Sequence, residues 1–258
     1  MLTVTRQELA TIPCLILHDA RFEVAPLIIV YHGWTQSKGS VDTPDRTYVE
    51  LASVGFVVVA PDCYEHGERK TEAWSRVMLN GWAFICEAMD QTRREAPGLL
   101  DASLGLPNVT PQRPQVAGVS MGGVIAQMVF AESRPFVSLV SVVGRSSFYQ
   151  ADPWCRRAQA GTWADAWCAQ HATQSHAERF TDRPLLFIDG AKDTDCPPDV
   201  DAQTVKLINQ RKGKAEQFVD LASGHAFSPT MRRRMVDWLV AHGQPPGSAD
   251  ADPSDPSD

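Results

Sequence analysis

A serine sits in Gly118-Val119-Ser120-Met121-Gly122, with Gly123 directly behind it. That spacing suits a nucleophile carried on a sharp turn. Gln115-Val116-Ala117 leads in as a short strand-like segment, and Val124 to Val129 leads out as a helical run. Strand, tight turn and helix together lift a hydroxyl clear of a sheet and set it near a helix N-terminus, where only small neighbours fit. A serine hydroxyl is a weak nucleophile until a base takes its proton. An imidazole, with an ordinary pKa near ~6.5, can accept and return that proton at neutral pH. A buried carboxylate fixes the imidazole tautomer and stabilises the imidazolium. The chemistry open to such a set is acyl transfer.

The acid and the base are expected at later strand ends, in the order serine, acid, histidine. Pro184-Leu185-Leu186-Phe187-Ile188 reads as a buried parallel strand. It runs into Asp189-Gly190-Ala191-Lys192-Asp193-Thr194-Asp195-Cys196-Pro197-Pro198, a turn rich in Gly, Asp and Pro. Gln217 to Leu221 reads as a last strand, ending in Ala222-Ser223-Gly224-His225-Ala226-Phe227. The expected roles are Ser120 as nucleophile, His225 as base and then acid, and Asp193 as orienter, with Asp195 as the alternative acid. The oxyanion needs two backbone N–H donors. Met121, after the serine, is one candidate. Trp34 is the other: it follows the apolar strand Leu27-Ile28-Ile29-Val30-Tyr31 in His32-Gly33-Trp34-Thr35. His32 is read as a brace for that loop.

The elements that must position these groups are apolar runs alternating with helical patterns. Val54 to Ala60 and Ser138 to Val143 add two more buried strands. The alternation predicts an α/β protein with a mostly parallel, doubly wound sheet, whose strand ends converge on one rim. At 258 residues the chain can bury a large core. Trp74, Val77, Met78, Gly81, Trp82, Ile85, Cys86 and Met89 recur at helical spacing and read as core packing, as do Met231, Met235, Trp238 and Leu239. Arg232-Arg233-Arg234 reads as a solvated helix face. The net charge of −7 disfavours a nucleic-acid partner.

Taken together these segments resemble a small bacterial serine carboxylesterase of the α/β-hydrolase superfamily, of the YjfP type, near the dienelactone-hydrolase and prolyl-oligopeptidase-like branches. The resemblance runs from Arg6-Gln7-Glu8-Leu9-Ala10-Thr11-Ile12-Pro13 through His32-Gly33-Trp34-Thr35-Gln36-Ser37, Ala60-Pro61-Asp62 and Glu65-His66-Gly67. It continues through the Ser120 turn and Arg183-Pro184-Leu185-Leu186 to His225. It implies an α/β-hydrolase fold with a small helical cap, and hydrolysis of short-acyl esters without metal or organic cofactor. Dienelactone hydrolases proper carry a cysteine where this chain has Ser120. Prolyl oligopeptidases carry a propeller domain for which this chain has no room. Trp34 stands where such esterases often have Phe.

The expected organisation is a hydrolase domain over residues 1–243, with a cap inserted at about 144–183, and a disordered acidic tail over 244–258. The tail, made of Pro, Ser, Ala and Asp, has no large apolar residue with which to fold. In the cap, Phe148, Trp154 and Trp163 are candidates to line the acyl pocket. His171 and His176 lie five apart, not on one helical face, and no Cys-x-x-Cys occurs, so no metal is expected. Six scattered cysteines fit reduced thiols in a cytoplasmic protein, with Cys155–Cys168 the one pair left open. No segment reads as a signal peptide or membrane span. The expected partner is a small-molecule ester, with neither nucleic acid nor membrane; the residues specify no oligomeric state. Acyltransferase, thioesterase and perhydrolase activities use the same triad. Peptidase activity and a non-catalytic binding scaffold are the remaining alternatives.

Overall fold

The computed structural model describes residues 1–39, 46–148 and 163–243, and for residues 75–80 the backbone only. Eight strands form one sheet: β1 (Leu2–Leu9), β2 (Ile12–Asp19), β3 (Ala25–Tyr31), β4 (Val57–Pro61), β5 (Val109–Val119), β6 (Ser138–Val142), β7 (Pro184–Gly190) and β8 (Lys214–Asp220). Their order is β1-β2-β4-β3-β5-β6-β7-β8. The β1–β2 hairpin is antiparallel and so is the β2–β4 pair; every later pair is parallel. The hairpin turns on Ala10 and Thr11, both at positive φ, as a two-residue turn between twisted strands requires.

Helices cover both faces: α1 (Thr47–Ser53), α2 (Val77–Leu104), α3 (Met121–Glu132), α4 (Trp163–His171), α5 (Pro198–Gln210) and α6 (Pro229–Gly243). This is the doubly wound α/β-hydrolase architecture that the alternation and the resemblance predict. The unbroken apolar strands explain it, because each strand feeds two cores. Leu27, Ile29 and Tyr31 of β3 point into the core shared with α2 and α3, with Val57 and Val59 of β4 beside them. Ile28 and Val30 point the other way, with Val58 and Ala60, toward Tyr48 and Leu51 of α1 and Met231, Met235, Trp238 and Leu239 of α6. A strand buried on both faces has no polar register to keep.

Register sets what each strand delivers to the rim. Gly118 pairs with Tyr31, so the loop after β3 emerges beside Ser120. Val119 pairs with Val142, which brings the segment after β6 to the other side. Gly190 pairs with Asp220, so the turns after β7 and β8 leave side by side. Of the expected cap, the structure describes residues 144–148 and 163–183, the latter comprising α4, a 3-10 segment, Thr173–Phe180, and the approach to β7. This second part docks on the body through Cys168, whose Sγ lies 3.9 Å from Cys86 Sγ on α2, and through Thr173, which donates to Gln127 of α3 at 2.6 Å. Trp154, Cys155 and the tail 244–258 lie outside the described residues. Among the described residues no helix is long and apolar enough to cross a membrane.

Candidate active site

Ser120 stands between β5 and α3 at φ 56°, ψ −118°, a backbone conformation that side chains rarely adopt. Its N–H is held by the Val142 carbonyl at 2.8 Å and its own carbonyl accepts from Val124 at 3.2 Å. The neighbouring glycines are there for lack of space. A Cβ added at Gly118 would lie 2.0 Å from the Gly122 carbonyl oxygen, and one at Gly122 would lie 2.2 Å from that of Tyr31. One at Gly123 would come within 2.8 Å of Ser141 Oγ. All three contacts are sub-van der Waals, so the helix could not start this close to the sheet with larger residues.

Ser120 Oγ lies 2.8 Å from His225 Nε2, and His225 Nδ1 lies 2.8 Å from Asp193 Oδ2. The structure thus brings the three residues into one hydrogen-bonded chain. The Asp193 side chain is fully buried, while the imidazole is about a third exposed. With Nδ1–H donating to the carboxylate, Nε2 is left as the acceptor for the serine proton. The hydrogen bond that His225 donates to Asp193 raises the imidazole pKa above its ordinary value, against an opposing effect of burial. Asp193 Oδ1 accepts the backbone N–H groups of Asp195 at 2.9 Å and Cys196 at 2.8 Å. Asp195 therefore contributes an amide that steadies the acid, while its own side chain is exposed. The turns are laced together: Lys192 N–H donates to the Ser223 carbonyl at 2.9 Å, and Ala191 N–H to that of Asp220 at 2.9 Å.

The loop after β3 is braced from three directions. Cys63 N–H donates to His32 Nε2 at 3.1 Å, which leaves His32 Nδ1–H to donate to the Gly33 carbonyl at 2.9 Å. Burial pushes the His32 pKa down to about 4, so the ring stays neutral and holds this pattern at any working pH. Gly33 N–H donates to the Gln36 side chain at 2.9 Å. The Trp34 ring stacks on Trp74 at 5.0 Å and meets His66 edge-on at 4.9 Å and Phe84 at 6.0 Å. The Trp34 ring thus anchors its loop. The Pro61-Asp62 and His66-Gly67 segments have a structural role. Buried Asp62 accepts from Lys38 N–H at 2.8 Å, from Lys38 Nζ at 2.6 Å and from Glu68 N–H at 2.9 Å. Gly67, at φ +56°, has no room for a Cβ beside that carboxylate.

Ser120 and His225 open into a cavity of about 380 Å³, also lined by Trp34, Met121 and Phe148. Met121 is the first residue of α3, and the first amides of a helix have no partner within it. Trp163 is elsewhere: its side chain is largely exposed, it packs on Trp167 at 6.4 Å, and it is not among the lining residues. One wall comes from α2, through Trp82, Ile85 and Met89. By their spacing alone these three read as core packing. A helical apolar stripe looks the same whether it faces side chains or a cavity. Only the position of α2, crossing from β4 to β5 on the Ser120 side of the sheet, marks the difference. Trp74 belongs to a short 3-10 segment, Glu72–Arg76, rather than to the helix itself. Arg145 and Cys196 are further lining residues, as are Val124, Val143 and Phe227, and nothing in the sequence marks any of them as facing a pocket.

Comparison with known proteins follows the same lines. Esterase YjfP of Escherichia coli is 28% identical over 223 residues, covering 81% of this chain and 86% of that protein. Among solved structures, TT1662 from Thermus thermophilus superposes with a TM-score of 0.77 at 20% identity, over 95% of this chain and 99% of that one. The acylaminoacyl peptidase of Pyrococcus horikoshii superposes with a TM-score of 0.69 at 15% identity, over 93% of this chain but only 40% of that one. The sequence pattern of the prolyl oligopeptidase family matches residues 99–244, which contain the Ser120 turn, the Asp193 turn and the His225 turn. This chain belongs to the prolyl oligopeptidase family, as a serine hydrolase on an α/β-hydrolase fold.

Proposed function

We propose that the protein hydrolyses carboxylic esters with short acyl groups through an acyl-enzyme on Ser120. The observation that carries this reading is the unbroken chain Ser120–His225–Asp193 at the mouth of a small, largely apolar cavity. In the first half-reaction His225 Nε2 takes the serine proton as Oγ bonds to the ester carbonyl carbon. The backbone N–H groups of Trp34 and Met121 are the proposed donors to the oxyanion. Collapse breaks the bond to the alcohol oxygen, which leaves with the proton from His225. Water then repeats the sequence and releases the acid. In this reading residues 1–243 form the catalytic domain, the segment at about 144–183 caps it, and Phe148 and the α2 residues bound the acyl group.

The test is a series of p-nitrophenyl esters from acetate to palmitate. Turnover is expected to fall as the acyl chain outgrows the cavity. Rates that rise toward palmitate would overturn the short-acyl assignment. Cleavage of peptide substrates in place of esters would favour a peptidase. The pH profile offers a second check. His225 acts as base only when neutral, and its bond to Asp193 raises its pKa. Activity is therefore expected to be lost as pH falls through a value above ~6.5. The bond to Asp193 also stabilises the folded protein at low pH, and that contribution fades as pH rises through the same raised value. An acid limb in kcat/KM well below pH ~6 would contradict His225 as the base.

A further inference from the structure

Two further carboxyls lie behind the turn that carries Asp193. Asp189, near the end of β7, and Asp201, in the first turn of α5, are each about 1% exposed. Asp189 Oδ2 accepts from Gln217 Nε2 at 2.8 Å. Asp201 Oδ1 accepts from the Ser146 N–H at 3.1 Å and from the Ser146 hydroxyl. One oxygen of each acid then remains without any other donor, Asp189 Oδ1 and Asp201 Oδ2. The two side chains are in hydrogen-bonding contact with each other. Ionised carboxylates are acceptors only, so this contact requires a proton. Ser146 places two donors on Asp201 and favours the charge there, while Asp189 has a single neutral amide and is the better place for the proton.

These two acids are the two ends of one turn. Residues 190–197 leave Asp189 and return at Pro198 to start α5. Gln217 Nε2 bridges the same ends, bonding the Pro198 carbonyl at 2.7 Å as well as Asp189. Arg145, next to Ser146, donates to the Asp195 carbonyl and so ties the segment after β6 to the turn. We infer that Asp189 and Asp201 hold one proton between them, closing the base of the turn and setting the position of Asp193 for His225. The inference rests on the role proposed above for Asp193. Both acids are positioning residues, since neither faces the cavity and both act through that carboxylate.

Burial pushes both acids upward, Asp189 to about 9, with the neighbouring Asp201 charge adding to the effect. The charged groups facing the pair are Arg145, from the segment after β6, and Asp193, from the turn itself. Thr204 of α5 bonds the Ser146 hydroxyl, and Gln217 of β8 is a neutral donor to Asp189. Loss of the shared proton leaves two buried charges with no donor between them, and the base of the turn parts. Two pH effects follow. In the folded protein the turn loosens as pH rises through about 9. Global stability falls earlier, between the ordinary carboxylate range and that value, because the unfolded chain has already released the proton that the folded protein keeps.

The experiment compares wild type with Asp189→Asn, whose amide donates to Asp201 Oδ2 at every pH and whose carbonyl accepts from Gln217. Asp201→Asn, which can donate to Asp189 Oδ1, is the second variant. The readouts are the rate at which a fluorophosphonate labels Ser120, and Tm, both from about pH 5 to about pH 10. In wild type, labelling is expected to fall about tenfold as the acid turn is displaced. In the two Asn variants the alkaline fall disappears, and the neutral-pH rate stays within about threefold of wild type because the donor is replaced in kind. The Tm of wild type should decline relative to Asp189→Asn as pH rises from ~5 to ~9. An alkaline fall of equal size in all three proteins, or a Tm difference independent of pH, would overturn the shared proton. Fluorophosphonate labelling needs no ester substrate. A wild type that labels but turns over no ester therefore sinks the esterase reading alone, while the labelling comparison still decides this one.

Discussion

Ser120→Ala is expected to lower turnover of p-nitrophenyl acetate by at least ~10⁴-fold, leaving only what oxyanion donors and binding supply without a nucleophile. The cause is local. His225 Nε2 has one proton to take, from Ser120 Oγ at 2.8 Å, and alanine removes both the proton and the attacking atom. Folding should be indifferent to the change. Alanine keeps the Cβ at the same φ of 56°, so the strained turn is neither relieved nor worsened. The two backbone hydrogen bonds of residue 120 do not involve the side chain. Tm is expected to stay within a few degrees of wild type. Measuring rate and Tm on the same preparation checks both. A variant that retained activity would displace Ser120 as nucleophile, and one that lost its fold would leave the rate without meaning.

Asp193→Asn carries the second large effect, a fall in kcat of up to ~10⁴-fold. The asparagine side chain can still accept the amides of Asp195 and Cys196 through its carbonyl oxygen, which points its NH₂ group at His225. That amide donates to Nδ1, and the ring's own proton is driven to Nε2. An Nε2–H faces the serine hydroxyl as a donor and cannot take its proton. The imidazole also loses the carboxylate that raises its pKa, so the acid limb should move to lower pH even as the maximum rate collapses. Asp195→Asn provides the contrast. Its side chain is exposed and only its backbone N–H reaches Asp193, so kcat should remain within about twofold of wild type. If Asp195→Asn caused the large loss instead, the acid would have been misassigned.

Much of this arrangement is legible in the sequence because parallel strands end on a common rim. Once Leu27–Tyr31, Pro184–Ile188 and Gln217–Leu221 are read as strands, the residues that follow them must meet near Ser120. The glycines at 118, 122 and 123 add a steric signature of their own. The strand before the serine is less legible. β5 starts at Val109, but Pro111 and Pro114, with Arg113 at positive φ, interrupt the apolar pattern until Gln115. The cavity wall is less legible again. Trp82, Ile85 and Met89 carry the same periodic signal as a packed core, and nothing local says that the facing space is empty. Trp163 fails as a pocket candidate for the opposite reason, since an aromatic ring amid polar residues can equally rest on a surface. Asp189 and Asp201 are the least legible. One acid in an Asp-rich turn and one near a helix N-terminus look like solvated groups until the fold buries both against Ser146 and Gln217.

Ser120 stands on α3, whose residues from Met121 to Phe130 are all buried at the middle of the sheet. His225 hangs from a short loop beyond β8, the sheet's last strand. Opening a turn at an edge costs far less than dislodging a central helix. The proposed nucleophile and its proposed base therefore belong to parts of the molecule with different local stabilities. Warming or mild denaturant is expected to part His225 from Ser120 while the sheet stays whole. Turnover is then expected to be lost below Tm and to return on cooling, as one margin of the protein frays before its fold melts.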